Sequence, residues 1–112
     1  MEILFNQIDG INVSKITGRI DSVTSGDLQN AMMDYISGKI NNFAVDFSEV
    51  GYISSAGLRT LLLVAKEMQK KNSSFAIFKM QDNIKDVFDL SGFSSIMNIL
   101  PDFDSVKAKF KQ

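Results

Sequence analysis

The stretch that most constrains the fold is residues 45–68, where a strand pattern gives way within a few residues to an amphipathic helix. Apolar residues occupy every second position of residues 43–47, which predicts a β-strand. Residues 49–52 are interpreted as a turn. Apolar side chains then recur at helical spacing at Leu58, Leu61, Leu62, Ala65 and Met68. A strand that leads directly into such a helix predicts an α/β fold.

Two serines stand where this loop becomes the helix. Serine is a favoured N-cap, since its hydroxyl oxygen can accept a free backbone N–H of the first turn. Ser54 or Ser55 could serve only that structural purpose. A helix start also attracts anions through its free N–H groups and the positive end of its dipole. A hydroxyl there could therefore carry a phosphate at low electrostatic cost.

The chain before this stretch predicts a hairpin and a helix. Residues 2–7 and 11–16 read as strands, and Asp9-Gly10 between them is typical of a two-residue turn. Gly18 breaks the second strand pattern. Thr24 or Ser25 is expected to cap the first helix, whose apolar face recurs at i, i+3, i+4 and i+7.

The chain after it predicts a strand at 75–78, a helix capped by Asp82, a strand at 96–100 and a final helix beginning at Asp104 or Ser105. The resulting order is β-β-α-β-α-β-α-β-α. Alternating strands and helices predict mostly parallel pairing, with the opening hairpin making the sheet mixed. A length of 112 residues suits one domain, so we expect a single domain over 1–112.

Composition excludes several classes of protein. The chain has no Cys and no His, which removes thiolate metal sites and the commonest general base. Its net charge of −1 does not suggest a nucleic-acid reader. No apolar run approaches the roughly 20 residues needed to span a bilayer, and residues 1–10 lack the pattern of a signal peptide. We therefore expect a cytoplasmic protein with no metal and no membrane insertion.

An enzyme with a serine nucleophile is the competing class. Residues 51–54 do not form the Gly-x-Ser-x-Gly elbow of hydrolases. A Ser-His-Asp relay is impossible without His, and no serine–lysine spacing points to a Ser-Lys pair. A Gly-rich phosphate loop is also absent from the sequence, so no cofactor is implied. We expect no catalytic residues and no enzymatic activity.

Four segments carry a resemblance to a known family. Residues 46–50 and 52–58 resemble the conserved pattern of the STAS domain, and more narrowly that of the single-domain bacterial anti-sigma factor antagonists. Residues 18–21 and 87–93 match the same family. The resemblance implies a small mixed sheet with helices packed mainly on one side.

The resemblance also implies a phosphorylation site. In the family pattern Asp-Ser-Ser/Thr-Gly-Leu the first serine is phosphorylated, and that position is Ser55 here. Ser54 replaces the usual Asp and is the alternative acceptor. Ala56 replaces the second hydroxyl residue. The local charge at this site therefore differs from that of the family pattern.

Further residues are expected at a partner-binding surface made of Asp21, Ser54, Ser55, Ala56, Gly57 and Arg59. Asp21 could instead be a solvated turn residue, and Arg59 a solvated helix position. Gly57 costs about 0.8–1 kcal/mol in a helix interior relative to Ala. Tight packing on the sheet or a bare surface for a partner could explain it, and the resemblance favours the surface. Asp46, inside an apolar strand, is expected near the strand's end with hydrogen-bond partners.

By resemblance, the unphosphorylated protein docks onto an anti-sigma factor serine kinase and frees the sigma factor. Phosphorylation then separates the complex, and a serine phosphatase restores the docking form. A STAS module with another partner, such as a transporter-linked subunit or a regulatory scaffold, is the alternative. The free protein is expected to be a monomer.

Overall fold

The computed structural model describes residues 1–111 and shows an α/β fold with the predicted order of strands and helices. Five strands form one sheet in the order β1-β2-β3-β4-β5. A short 3-10 turn, Phe93–Ser95, precedes the last strand. The elements are β1 Glu2–Ile8, β2 Ile11–Ile20, α1 Ser25–Ile36, β3 Asn42–Ile53, α2 Ser55–Lys70, β4 Ser74–Phe78, α3 Asp82–Leu90, β5 Asn98–Leu100 and α4 Phe103–Phe110.

The sheet is mixed, as predicted. β1 pairs with β2 antiparallel, whereas β2 to β5 are parallel to one another. Asp9 and Gly10 close the hairpin with φ values of 51° and 79°, as a two-residue type I′ turn requires. Because parallel strands end at the same edge, the loops that leave β2, β3 and β4 meet there. We call this edge the carboxyl edge.

Helices cover the two faces of the sheet unequally. α1, α2 and α3 bury the larger core on one face, around Phe43, Phe47 and Phe88. α4 alone covers the other face, where Val106 packs with Phe78 and small strand residues. The placement of helices mainly on one side is therefore confirmed, with α4 as the exception.

The predicted strand at 43–47 is too short, and the predicted turn at 49–52 is wrong. β3 runs unbroken for 12 residues to Ile53, because β2 also continues past Gly18 and keeps pairing with it. Gly18 does not end β2; it sits at an irregularity in the pairing with φ 112°, and Met1 Cα lies 3.3 Å from where its Cβ would be. Asp46 is thus within the strand, where its Oδ1 accepts the N–H of Ser48 at 2.9 Å.

The predicted helix starts are only partly right. Thr24 is the N-cap residue of α1, as predicted, but its hydroxyl donates to the carbonyl of Arg19 and accepts no N–H of the helix. Gln81, rather than Asp82, precedes α3. α4 begins earlier than predicted, because the Asp102 side chain accepts the N–H of Ser105 at 2.8 Å. β5 is likewise shorter than the predicted 96–100, since the 3-10 turn takes the preceding residues.

Candidate functional site

The start of α2 is fixed by Ser54. Its backbone is extended, and its hydroxyl accepts the N–H of Gly57 at 3.2 Å. Its own N–H donates to the carbonyl of Ile20 at 2.8 Å, which ties the helix start to the end of β2. Ser54 is therefore the N-cap that the sequence predicts, and its hydroxyl oxygen accepts one of the free N–H groups of the first turn.

Ser55 is the first residue of α2 and is exposed. The carbonyl of Ser54 accepts the N–H of Leu58, and its hydroxyl takes that of Gly57. Within residues 1–111 this leaves the N–H groups of Ser55 and Ala56 as the unpaired donors of the first turn. An anion on the Ser55 side chain would lie beside these donors and the positive end of the helix dipole.

Gly57 is buried against the sheet and contributes no side-chain surface. A Cβ at this position would lie 2.6 Å from Ile20 Cγ2 and 2.8 Å from Ile53 Cγ1. Both distances are below what real Cβ atoms show, so only glycine lets α2 approach β2 and β3 this closely. Of the two explanations considered for Gly57, the structure thus favours tight packing of α2 on the sheet over a bare surface for a partner.

Asp21 organises the turn between β2 and α1. Its Oδ1 accepts the N–H of Thr24 at 2.9 Å and that of Val23 at 3.0 Å. The N–H of Thr24 is the main reason that the pKa of Asp21 lies below its usual range, and the Val23 N–H and nearby Arg19 act in the same direction. Asp21 directly follows Ile20, whose carbonyl accepts the N–H of Ser54. The predicted site residues Asp21 and Ser54 are therefore neighbours.

Two residues outside the predicted site complete its border. Arg19 and Tyr52 face each other across β2 and β3, and the Arg19 guanidinium carbon lies 4.1 Å from the centre of the Tyr52 ring. Arg19 Nε is also 4.0 Å from Asp21 Oδ2. The cation–π contact orders a charged group next to the Asp21 turn. Sequence alone could not pair them, because the pairing register follows the irregularities of β2.

The remaining predicted residues lie along α2. Arg59 is exposed and stands one helical turn after Ser55, at i+4, so the two share a helix face. Ala56 is half-buried beside them. Val23, at the tip of the Asp21 turn, is 83% exposed, which is unusual for a large apolar side chain. The carboxyl edge thus combines several kinds of group. They are the exposed hydroxyl of Ser55, the carboxylate of Asp21, the arginines Arg19 and Arg59, and the exposed apolar atoms of Val23 and Tyr52.

The described part of the chain shows neither a metal site nor a membrane segment. Residues 1–111 contain no group of three or more His, Cys, Asp or Glu side chains placed to hold an ion. Over the same residues, no helix is long and apolar enough to cross a bilayer.

Known proteins share this fold. A family model described as the STAS domain matches residues 2–107. A Bordetella bronchiseptica protein assigned as an anti-sigma factor antagonist is 28% identical over 111 residues, 99% of this chain and 96% of that one. The crystal structure of an anti-sigma factor antagonist from Mycobacterium paratuberculosis has a TM-score of 0.91 and 21% identity, covering 99% of this chain and 94% of that one. The phosphorylated form of the Bacillus cell fate determinant SpoIIAA has a TM-score of 0.72 and 13% identity, covering 96% and 98%.

The fold and the matched residues define a member of the STAS domain family, to which this chain belongs. Within that family it is similar to the anti-sigma factor antagonists. These are regulatory proteins rather than enzymes.

Proposed function

We propose that this chain is a partner-switching protein controlled by phosphorylation of Ser55. In the unphosphorylated form it binds an anti-sigma factor that is also a serine kinase, and the sigma factor is released. The exposed Ser55 hydroxyl at the start of α2 carries this proposal, because the neighbouring Ser54 is half-buried and its hydroxyl oxygen accepts the N–H of Gly57. Sigma factors act on RNA polymerase, so the proposed place of action is the cytoplasm.

The docking surface proposed here consists of the Asp21 turn, the first turn of α2 and Arg59. All of these groups come from one chain, so a single copy suffices to dock. Val23 and Tyr52 add exposed apolar atoms at its border. Tyrosine and arginine are enriched at protein–protein interfaces, so Tyr52 and the two arginines fit a docking surface.

Phosphorylation would act on the interface more than on the fold. A phosphate adds about −1.5 to −2 charges at pH 7. The free N–H groups of Ser55 and Ala56 and the side chain of Arg59 can neutralise part of that charge within the chain. A partner packed closely on this surface has no room for the added group, so the complex separates. A serine phosphatase then restores the docking form. SpoIIAA, which shares the fold, is known in a phosphorylated form.

The first test is the position of the phosphate. Protein purified from its own host is analysed by intact mass and by peptide sequencing, with Ser55→Ala and Ser54→Ala variants beside it. We expect one phosphate on Ser55 in the wild type and in Ser54→Ala, and none in Ser55→Ala. Phosphate on Ser54 would show that the residue phosphorylated is Ser54 and not Ser55. No phosphate under any growth condition would favour a STAS module that docks constitutively, as a transporter-linked subunit or scaffold does.

The second test is the effect of charge on docking. Ser55→Asp is compared with Ser74→Asp, which places the same charge on an exposed serine at the opposite edge of the sheet. We expect Ser55→Asp to weaken binding to the anti-sigma factor at least about tenfold, since a mismatched charge at an interface costs several kcal/mol. Ser74→Asp should bind as the wild type does. Equal effects of both variants would remove Ser55 from the interface.

A further inference from the structure

The two edges of the sheet differ in how well they are protected from pairing with another strand. β5, at one edge, is three residues long and is followed by Pro101. β1, at the other, is seven residues long, contains no Pro or Lys, and carries a single charge at Glu2. Natural edge strands are usually short, charged, bulged or covered. β1 has none of these protections over its residues 2–8.

β1 also carries an unusual share of the exposed apolar surface. Leu4 is 57% exposed, Ile8 41% and Phe5 37%. Leu4 and Ile8 share one face of the strand, and Phe5 lies on the other. A long edge strand with apolar side chains on both faces is a template for pairing with another chain.

The hairpin decides which backbone groups of β1 are free. Ile8 and Ile11 flank the two-residue turn and face each other, so they exchange the closing hydrogen bonds of the hairpin. In an antiparallel pair such bonded positions alternate, so Ile3, Phe5 and Gln7 point their N–H and C=O groups outward. The structure agrees at Gln7, whose N–H donates to the Asn6 side chain at 2.8 Å rather than to β2.

We propose that two copies of this chain pair through β1, antiparallel about a two-fold axis at Phe5. In this register Phe5 exchanges two hydrogen bonds with Phe5 of the second copy, and Ile3 exchanges two with Gln7 at each end. All six outward groups of each strand are then used, once Asn6 releases the Gln7 N–H. No like charges meet, because Glu2 faces Ile8 and the carboxylate of Asp9 is paired with Lys107 at 3.3 Å.

The aromatic side chains support this register. Phe5 stacks on Tyr35 with ring centroids 4.4 Å apart. The Tyr35 ring lies 5.4 Å from that of Phe43, which lies 6.0 Å from that of Phe75. This row crosses the sheet under α1 and ends at Phe5 on the open edge. A second copy would place its own Phe5 directly opposite and continue the row across the axis, and aromatic cross-strand pairs stabilise sheets.

The dimer keeps the proposed docking surface accessible. A two-fold axis at β1 reverses the strand direction between copies, so the two carboxyl edges face opposite ways. Each copy then presents its own Ser55 surface, and the pair is bivalent. The monomer expected from the sequence is then the main species at protein concentrations below the dissociation constant of the dimer. Pairing of two edge strands alone buries less surface area than a standard protein–protein interface, so we expect the two copies to associate weakly.

Analytical ultracentrifugation over a wide concentration range tests the proposal. We expect the mass to rise with concentration from 12.5 kDa towards twice that value. Leu4→Lys should weaken association at least about tenfold, because the two lysines lie diagonally across the axis on one face and repel. Leu90→Lys is the matched control, since Leu90 is 89% exposed on α3 and should leave association unchanged. Unfolding midpoints show that both variants remain folded.

A cross-link tests the register. The protein has no native cysteine, so a Leu4→Cys/Asn6→Cys variant can form disulfides only between introduced residues. Leu4 faces Asn6 of the second copy at a non-hydrogen-bonded pair, about 4.5 Å apart at Cα, which suits a disulfide. Oxidation should give a covalent dimer, whereas Leu4→Cys/Ile8→Cys, one register away, should cross-link poorly. A mass of one chain at every concentration, or equal weakening by Leu90→Lys, would overturn the proposal.

Discussion

The starts of α1 and α2 lie side by side at the carboxyl edge, and each contains a glycine in its first turn. Gly26 in α1 is exposed, and a Cβ there would meet no atom within 4 Å. Gly57 in α2 is buried, and a Cβ there would collide with Ile20 and Ile53. The same residue type at similar helix positions therefore has different physical consequences.

The polar groups at the two starts differ as well. α2 is capped by a neutral hydroxyl, that of Ser54, whereas the turn before α1 is held by the carboxylate of Asp21. Gly57 packs the start of α2 onto Ile20 and Ile53, whereas the turn before α1 is held by hydrogen bonds to Asp21. Ser55 therefore directly follows a residue, Ser54, whose N–H and hydroxyl oxygen both make hydrogen bonds.

The largest expected effect comes from Gly57→Ala. The added methyl group must displace Ile20 or Ile53, and overpacking of this kind costs about 1–3 kcal/mol of unfolding free energy. Urea denaturation monitored by circular dichroism measures the change. A stability equal to that of the wild type would show that α2 is not held by this close approach.

Removal of the α2 cap is expected to have the next largest effect. Ser54→Ala leaves the Gly57 N–H without its acceptor and should lower the unfolding free energy by about 1 kcal/mol. Ser55→Ala is the control, since an exposed side chain away from such features usually changes stability by less than about 0.5 kcal/mol. Equal losses from the two variants would contradict the assignment of Ser54 as the cap.

Gly26→Ala should stabilise the protein. The position has helical backbone geometry and open space, so the alanine methyl group fits and reduces the entropy of the unfolded chain. The expected gain is about 0.4–1 kcal/mol in the same denaturation experiment. Destabilisation would show that the start of α1 is as tightly packed as that of α2.

The smallest expected effect is the pH dependence contributed by Asp21. Its folded pKa is lowered from 3.8, so the carboxylate adds stability above that value and the contribution is lost as the pH falls through the folded pKa. The stability difference between the wild type and Asp21→Asn should therefore be constant near neutral pH and shrink below about pH 4. Thermal unfolding from pH 7 to pH 2 measures it, and a constant difference would exclude Asp21 as the titrating group.

Much of this protein is determined by short stretches of sequence. The Asp9-Gly10 turn, the cap at Ser54 and the apolar face of α2 depend on residues within a few positions of one another. Such patterns are readable because a helix repeats every 3.6 residues and a strand every two. Together with the resemblance of residues 52–58 to the STAS pattern, they were sufficient for the fold class and for the position of Ser55.

The tertiary structure alone decided the length of β3, the burial of Gly57 and the contact between Arg19 and Tyr52. Each depends on groups distant in sequence: β3 extends to Ile53 because β2 pairs with it past Gly18, and Gly57 is buried because Ile20 and Ile53 lie beneath it. No local pattern records such contacts, since the energies involved arise only when the strands are side by side. The sequence by itself therefore predicts that the Ser55 hydroxyl lies at the start of α2. The packing of Gly57 on Ile20 and Ile53 decides how that helix start is held against the sheet.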